Sequence, residues 1–211
     1  MDAPFHGHEV LRNLELFGFQ CEGESWKILP EMNVTAEPLR ELGNYKKIAA
    51  IAPGTVWETK KYPEKYFREI IKYLSQLGYG IVLIGGRADQ ELCARLSEGI
   101  KGDVVNKAGR LSVPESVGML KQCNFIVCND SAPTHLAMAA GIPAFTLYCS
   151  TVPEFGFYPY SKGSRSLGVD GLKCRPCGIH GYSQCPIGTF ECAWKLTPDM
   201  VIEQIQSMGL I

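Results

Sequence analysis

The chain has 211 residues, with 21 Lys and Arg against 22 Asp and Glu, for a formal net charge of −1. That length suits one domain, or one and a fraction. The missing basic excess excludes a general nucleic-acid binder but not a small-anion binder, which needs only local positive potential. No stretch approaches the roughly 18–20 apolar residues of a membrane helix, and the opening MDAPFHGHEVLRN reads as no secretory signal.

In chain order, HEVLRNLELFG (residues 8–18) predicts a helix, with Val10, Leu11, Leu14 and Phe17 apolar and Gly18 as its stop. Residues 20–45 are polar and irregular, carry Pro30 and Pro38, and read as a linker or edge. From Lys46 the pattern becomes regular. IAAIAP predicts a buried strand and PEKYFREIIKYLSQLG an amphipathic helix ended by Gly78. GIVLIGG and ADQELCARLSEGI, then VVNKAG and SVPESVGMLKQC, then NFIVCN and PTHLAMAAG repeat strand and helix, and IPAFTLY adds a strand. Such alternation with short connections predicts a Rossmann-like α/β fold, a mostly parallel sheet with helices on both faces. After Thr151 the order loosens. SLGVD is an edge-strand candidate, and TPDMVIEQIQSMG a closing helix with Thr197 as N-cap and Pro198 at its first position.

Three turns follow strands and are equipped for an anion. In PGTVWETKKYP, Gly54 permits a tight turn, Thr55 offers a hydroxyl, and Lys60 and Lys61 bring positive charge to a helix start. In GGRADQE, Asp89 is either a helix cap or, with Glu91, a carboxylate for ribose hydroxyls; the stretch lacks the GxGxxG fingerprint. In CNDSAPTHLAMAAG, Asp130 or Ser131 is expected to cap the helix. The amides of Ser131, Ala132 and Thr134 are expected to point into the crevice, where the helix dipole favours a diphosphate. His135 is placed to donate to a phosphate oxygen, and Ala137, Ala139 and Ala140 to let the helix approach the sheet. In a parallel sheet all three turns share the carboxyl edge, where ligands bind.

PGTVWETKKYP, GIVLIGGRADQE, AGRLSVPESVGML and CNDSAPTHLAMAAGIPAFTLYCSTVP, in that order, resemble the C-terminal domain of the ADP-heptose:lipopolysaccharide heptosyltransferases, glycosyltransferase family nine. The resemblance runs from about residue 46 to 205. It implies the C-terminal half of a GT-B enzyme, two Rossmann-like domains facing across a cleft. Residues 1–45 would be a remnant of the acceptor domain and its linker, and residues 46–211 the donor-binding domain. It implies an inverting transfer of heptose from ADP-heptose to a lipopolysaccharide core acceptor. The base and the acceptor site would lie on an N-terminal domain missing from this chain. Lys60, Asp130 and His135 would serve catalysis. Gly54, Thr55 and Lys60 would contact the phosphates, and Asp89 or Glu91 the ribose. Gly109, Leu111, Ser112 and Val113 would border the base. Asp130, Ser131, Ala132, Thr134 and His135 would surround the diphosphate and sugar. The family places such an enzyme in the cytoplasm, with peripheral contact at the inner membrane face, and transfer requires no metal. A protein acceptor, or a non-catalytic nucleotide-sugar- or metal-binding module, are the alternative readings. Cys149, where the family often has glycine, is a departure close to Thr151.

Nine cysteines are many. Cys21, Cys93, Cys123, Cys128 and Cys149 lie in apolar segments and read as free buried thiols. Cys174, Cys177, Cys185 and Cys192 fall within 19 residues, opened by Cys-x2-Cys, in a loop of residues 174–192. That spacing favours a structural zinc, or iron, over disulfides. His180 lies in the same loop and reads as solvated.

Overall fold

A computed structural model describes residues 7–35, 37 and 39–211. Pro38 and the first six residues of the stretch read for a signal sequence lie outside these residues. Six strands make one parallel sheet: β1 (Ile48–Ala52), β2 (Gly80–Leu83), β3 (Val104–Asn106), β4 (Phe125–Asn129), β5 (Ala144–Tyr148) and β6 (Arg165–Gly168). Their order is β3-β2-β1-β4-β5-β6, every neighbouring pair parallel. The helices are α1 (Glu9–Leu16), α2 (Glu64–Gln76), α3 (Gln90–Ser97), α4 (Val113–Leu120), α5 (Pro133–Ala140), α6 (Glu191–Trp194) and α7 (Pro198–Ser207). The Rossmann-like expectation therefore holds, including an edge strand that overlaps SLGVD and the Thr197 cap, whose side chain accepts from Met200 N–H.

Strand alternation divides the core in two. Ala49, Ile51, Ile81, Leu83, Phe125 and Val127 face α2, α3 and α7. Ala50, Ala52, Val82, Ile126 and Cys128 face α4 and α5. Strands buried on both sides read as continuous apolar runs for this reason.

The order reverses between β1 and β4. Connections leave these two strands toward opposite sides, so a crevice opens at their carboxyl ends. The loops after β1, β2 and β4 all lie on that edge, as the alternation predicts.

The start of the chain departs from a simple linker. α1 stops at Leu16, two residues before Gly18, and none of its residues is fully buried. Phe17, expected on the apolar face, is 82% exposed. The irregular segment that follows is packed onto the domain. Leu39 and Leu42 join the second core, and Trp26 stacks on His8 against Tyr158 and Tyr160. Three buried apolar side chains, Trp26, Leu39 and Leu42, explain the departure: they outweigh the polar residues between them.

Candidate functional site

The centre of the crevice is an ion pair. After β1 the chain enters a 3-10 turn, Glu58–Lys60, which projects Lys60 across the edge. After β4 it reaches Asp130. Lys60 Nζ lies 2.6 Å from Asp130 Oδ2, with the side chains 16% and 13% exposed. Thr151 Oγ1, beyond β5, donates to the same carboxylate oxygen at 2.7 Å.

Buried Asn129 spans the switch point below the pair. Its Nδ2 donates to Pro53 O at 2.7 Å and its Oδ1 accepts from Tyr62 N–H at 3.0 Å. It thereby fixes both ends of the Lys60 turn. The sequence reading missed Asn129 and Thr151. A polar residue closing the apolar run NFIVCN was the available signal for Asn129; nothing local marked Thr151.

The turn before α5 corrects two expectations. The N-cap is Ala132, with no side-chain cap, because Asp130 is held by Lys60 and Thr151. Ser131 Oγ turns instead to Gly54 O and Asn129 O, at 3.4 and 3.2 Å. Thr134 does not reach the crevice. Its amide donates to Ser131 O, and its buried hydroxyl lies 2.9 Å from Thr146 Oγ1 and 3.4 Å from Cys128 Sγ. Helical phase turns residue 134 toward the sheet. The amides of Ser131 and Ala132, before Pro133, remain for a ligand.

His135 stands one turn in, half-buried, edge-on to Phe157. Burial lowers its pKa from the ordinary 6.5, and the charge of Asp130 only partly opposes this. A neutral imidazole results near pH 7, so His135 can donate one N–H but carries no charge. Asp130 thus pairs with Lys60, and its charge also acts on His135.

The second turn contributes Asp89. It begins α3 by position but does not cap it; Oδ2 accepts from Gly86 N–H at 2.8 Å. The carboxylate lies so close to Gly54 that a Cβ there would meet Asp89 Oδ1 at 2.1 Å. Gly54 is therefore needed for close approach, while Thr55 beside it is half-buried. Glu91 is exposed on α3. With Asp89, Tyr62 and Arg95 it borders a hollow of about 400 Å³ between α2 and α3.

On the turn after β3, Gly109 has φ +68°, and a Cβ would meet Gln90 Nε2 at 2.7 Å. Its N–H donates to Gly85 O at 2.8 Å, joining the turns after β2 and β3. Ser112 caps α4 through a reciprocal capping box with Glu115. Leu111 borders a small hollow closed by Thr35, Glu37 and Leu39, and Val113 is exposed.

Cys174, Cys177, Cys185 and Cys192 are free thiols in one neighbourhood. Burial raises Cys192 to about 11, and its nearness to Cys177, Cys174 and Cys185 adds to the shift. Cys185 goes the other way. Burial would raise it, but the backbone amides of Phe190, Ile187, Gly188 and Thr189 bring it below its usual value. Among the described residues no group of three His, Cys, Asp or Glu is arranged to hold a metal ion. Three of the four thiols have other contacts: Cys177 Sγ donates to Cys174 O, Cys185 Sγ accepts from Phe190 N–H, and Cys192 is buried in the first core. His180 is exposed.

The remaining thiols are free as expected, and Cys93, Cys123, Cys128 and Cys149 are buried; Cys21 is only half-buried. Cys149 is fully buried in the first core.

Fold and site together define a Rossmann-like α/β unit with a Lys–Asp ion pair at its switch point. The chain matches glycosyltransferase family 9 (heptosyltransferase) over residues 1–183, and so belongs to that family. It is 28% identical over 215 residues to lipopolysaccharide heptosyltransferase 1 of Pseudomonas aeruginosa, covering 96% of this chain and 59% of the relative. Its fold superposes on that of E. coli ADP-heptose lps heptosyltransferase II with a TM-score of 0.65 at 24% identity, covering 81% of this chain and 50% of the other. The iron-containing dodecameric glycosyltransferase TibC from enterotoxigenic E. coli H10407 gives a TM-score of 0.65 at 20% identity, over 85% of this chain and 48% of TibC. The chain spans about half the length of the curated relatives it matches.

Proposed function

We propose that this chain is the donor-binding half of an inverting glycosyltransferase that moves heptose from ADP-heptose to a lipopolysaccharide core acceptor. The observation that carries this reading is the Lys60–Asp130 pair beside the amides of Ser131 and Ala132, at the switch point of a family 9 sheet. In the transfer, an acceptor oxygen bonds to the sugar C1 as the bond from C1 to the diphosphate oxygen breaks. The electron pair of that bond leaves on the diphosphate. The acceptor proton passes to a base on the other half of a GT-B enzyme. Lys60, the two amides and the N–H of His135 face the growing negative charge, the electrostatic share of catalysis. Asp130 keeps Lys60 aimed. Asp89 receives the ribose, and Gly109 with Leu111 flanks the base. Residues 1–45 belong on this reading to the acceptor side and its connection. No helix among the described residues is long and apolar enough to cross a membrane. We place the enzyme in the cytoplasm, meeting its lipid-linked acceptor at the inner membrane face.

Titration calorimetry with ADP and ADP-heptose tests this. Wild type should bind both, and Lys60→Ala should lose about tenfold or more, the worth of one charge-assisted contact. No affinity for either nucleotide, or equal affinity in the variant, would overturn the reading.

The cysteine loop enters the same proposal as a structural metal site for zinc or iron. Four thiols in one neighbourhood, with amides directed at the Cys185 sulfur, supply donors of the right chemistry. Such an ion would pin the loop and take no part in transfer. Elemental analysis of purified protein should find one ion per chain, and its removal should lower the thermal midpoint. Metal-free protein of unchanged stability would refute this part.

A further inference from the structure

The two members of the ion pair sit on separate loops, and one irregular segment, residues 172–192, touches both. On the lysine side, Tyr182 N–H donates to Thr59 Oγ1 at 2.8 Å, and Thr59 N–H donates to Tyr182 O at 3.1 Å. This reciprocal pair grips the residue directly before Lys60. Gly181, at φ +92°, lies so near that a Cβ would meet Thr59 Oγ1 at 3.0 Å and Lys60 Cγ at 3.2 Å.

On the aspartate side, Cys177 N–H donates to Ser150 O at 3.0 Å. Arg175 does more. Its Nε donates to Cys149 O at 2.9 Å and Thr151 O at 3.0 Å, Nη1 to Val169 O at 2.8 Å, and Nη2 to Tyr148 O at 3.1 Å. All three nitrogens are thus committed to backbone carbonyls. A planar fork with fixed donor directions fits four carbonyls in a way that the single ammonium of lysine does not. Thr151, whose carbonyl Arg175 holds, is fully buried and gives its hydroxyl to Asp130.

We propose that Arg175 is a positioning residue of the diphosphate site. Through Thr151 it sets Asp130, while Tyr182 of the same loop sets the turn that carries Lys60. The cysteine loop therefore braces the ion pair from both sides. Neither contact reaches the ligand, so the effect passes only through the pair. The functional consequence rests on the donor-binding reading above; the brace itself does not.

Two measurements on this chain test it. The first is an ADP titration of wild type, Arg175→Ala, Arg175→Lys, Thr151→Val and the Arg175→Ala/Thr151→Val double variant, at matched thermal midpoints. Arg175→Ala should weaken ADP about tenfold, as loss of hydrogen bonds from a charged group allows. Arg175→Lys should recover little. Because both residues act along one path, the double variant should be no weaker than Arg175→Ala within about twofold. Unchanged affinity in Arg175→Ala, or independent multiplying losses in the double variant, would overturn the proposal.

The second is hydrogen exchange without nucleotide. In Arg175→Ala, amides of residues 57–62 and 149–152 should exchange faster while those of α7 stay unchanged. Unaltered exchange at both segments would refute the brace. Wild type that binds no ADP would sink the donor-binding reading, and exchange would still decide the brace. Should Arg175→Ala fail to fold, Gly168→Ala serves. A Cβ there would meet Arg175 Nη2 at 2.3 Å, displacing the guanidinium while keeping the arginine. It should give the same pattern, more weakly; no change in either measurement would count against Arg175.

Discussion

The carboxyl edge of the sheet and the cysteine loop are built in opposite ways. At the edge, each functional group sits at the end of a strand whose position the parallel ladder already dictates. Lys60, Asp89, Asp130 and Gly109 follow β1, β2, β4 and β3, so local pattern suffices to place them together. The loop has almost no regular structure beyond the single turn of α6. Its position comes from hydrogen bonds to distant segments: Tyr182 to Thr59, Cys177 to Ser150, Arg175 to Tyr148, Cys149 and Thr151. A site can thus be assembled by periodic elements and tuned by a segment whose own sequence shows only cysteines.

The sharpest way to break this contrast is Asn129→Leu. It strands the Tyr62 N–H and the Pro53 carbonyl in a buried place. A loss of about 2–4 kcal/mol is expected, because two buried polar groups lose their partners. Urea unfolding with an unchanged slope would show it, whereas a loss below about 1 kcal/mol would mean water replaces the side chain.

Next comes the loop. Gly181→Ala forces a side chain into a left-handed backbone against Thr59 and Lys60. It should cost roughly 1–2 kcal/mol and loosen the Lys60 turn. The comparison fails if amide exchange at residues 57–62 is unaffected.

Ser112→Ala removes the α4 cap. About 1 kcal/mol should be lost, with ADP affinity nearly unchanged if the capping box is the main work of Ser112. A large fall in affinity would give that hydroxyl a direct contact.

The smallest effect is one of pH. Burial lowers both His8 and His135 below the ordinary 6.5. In the window below 6.5 and above the folded values, the unfolded chain binds more protons, so stability is greatest above that window and falls as pH drops through it. His8→Gln should flatten part of the slope seen in denaturant midpoints from neutral to mildly acid pH. An identical slope in the variant would remove His8 from the account.

Much of the site was readable as sequence because its turns carry Gly, Lys, Asp and a helix start at strand ends. Thr134 was misread for a definite reason. Its neighbours faced the crevice, but one step along a helix rotates a side chain by about 100°, and Thr146 and Cys128 were waiting on the sheet side. Asp130 was misread as a cap because Lys60, 70 residues earlier in the chain, was not visible as its partner. The cysteine spacing correctly grouped four thiols but said nothing of the commitments that Cys177 and Cys185 make to nearby backbone.

The amino-acid sequence by itself determined the alternation of strands and helices, the parallel sheet and the three turns at its edge. These follow from apolar periodicity, glycine and helix-start chemistry, which act over a few residues. Only the tertiary structure decided that Lys60 pairs with Asp130, that Asn129 joins their loops and that Arg175 reaches Thr151. Those contacts depend on where the sheet reverses its order and how a loop folds back across it. Such geometry is a property of the packed chain, with no local residue pattern to announce it.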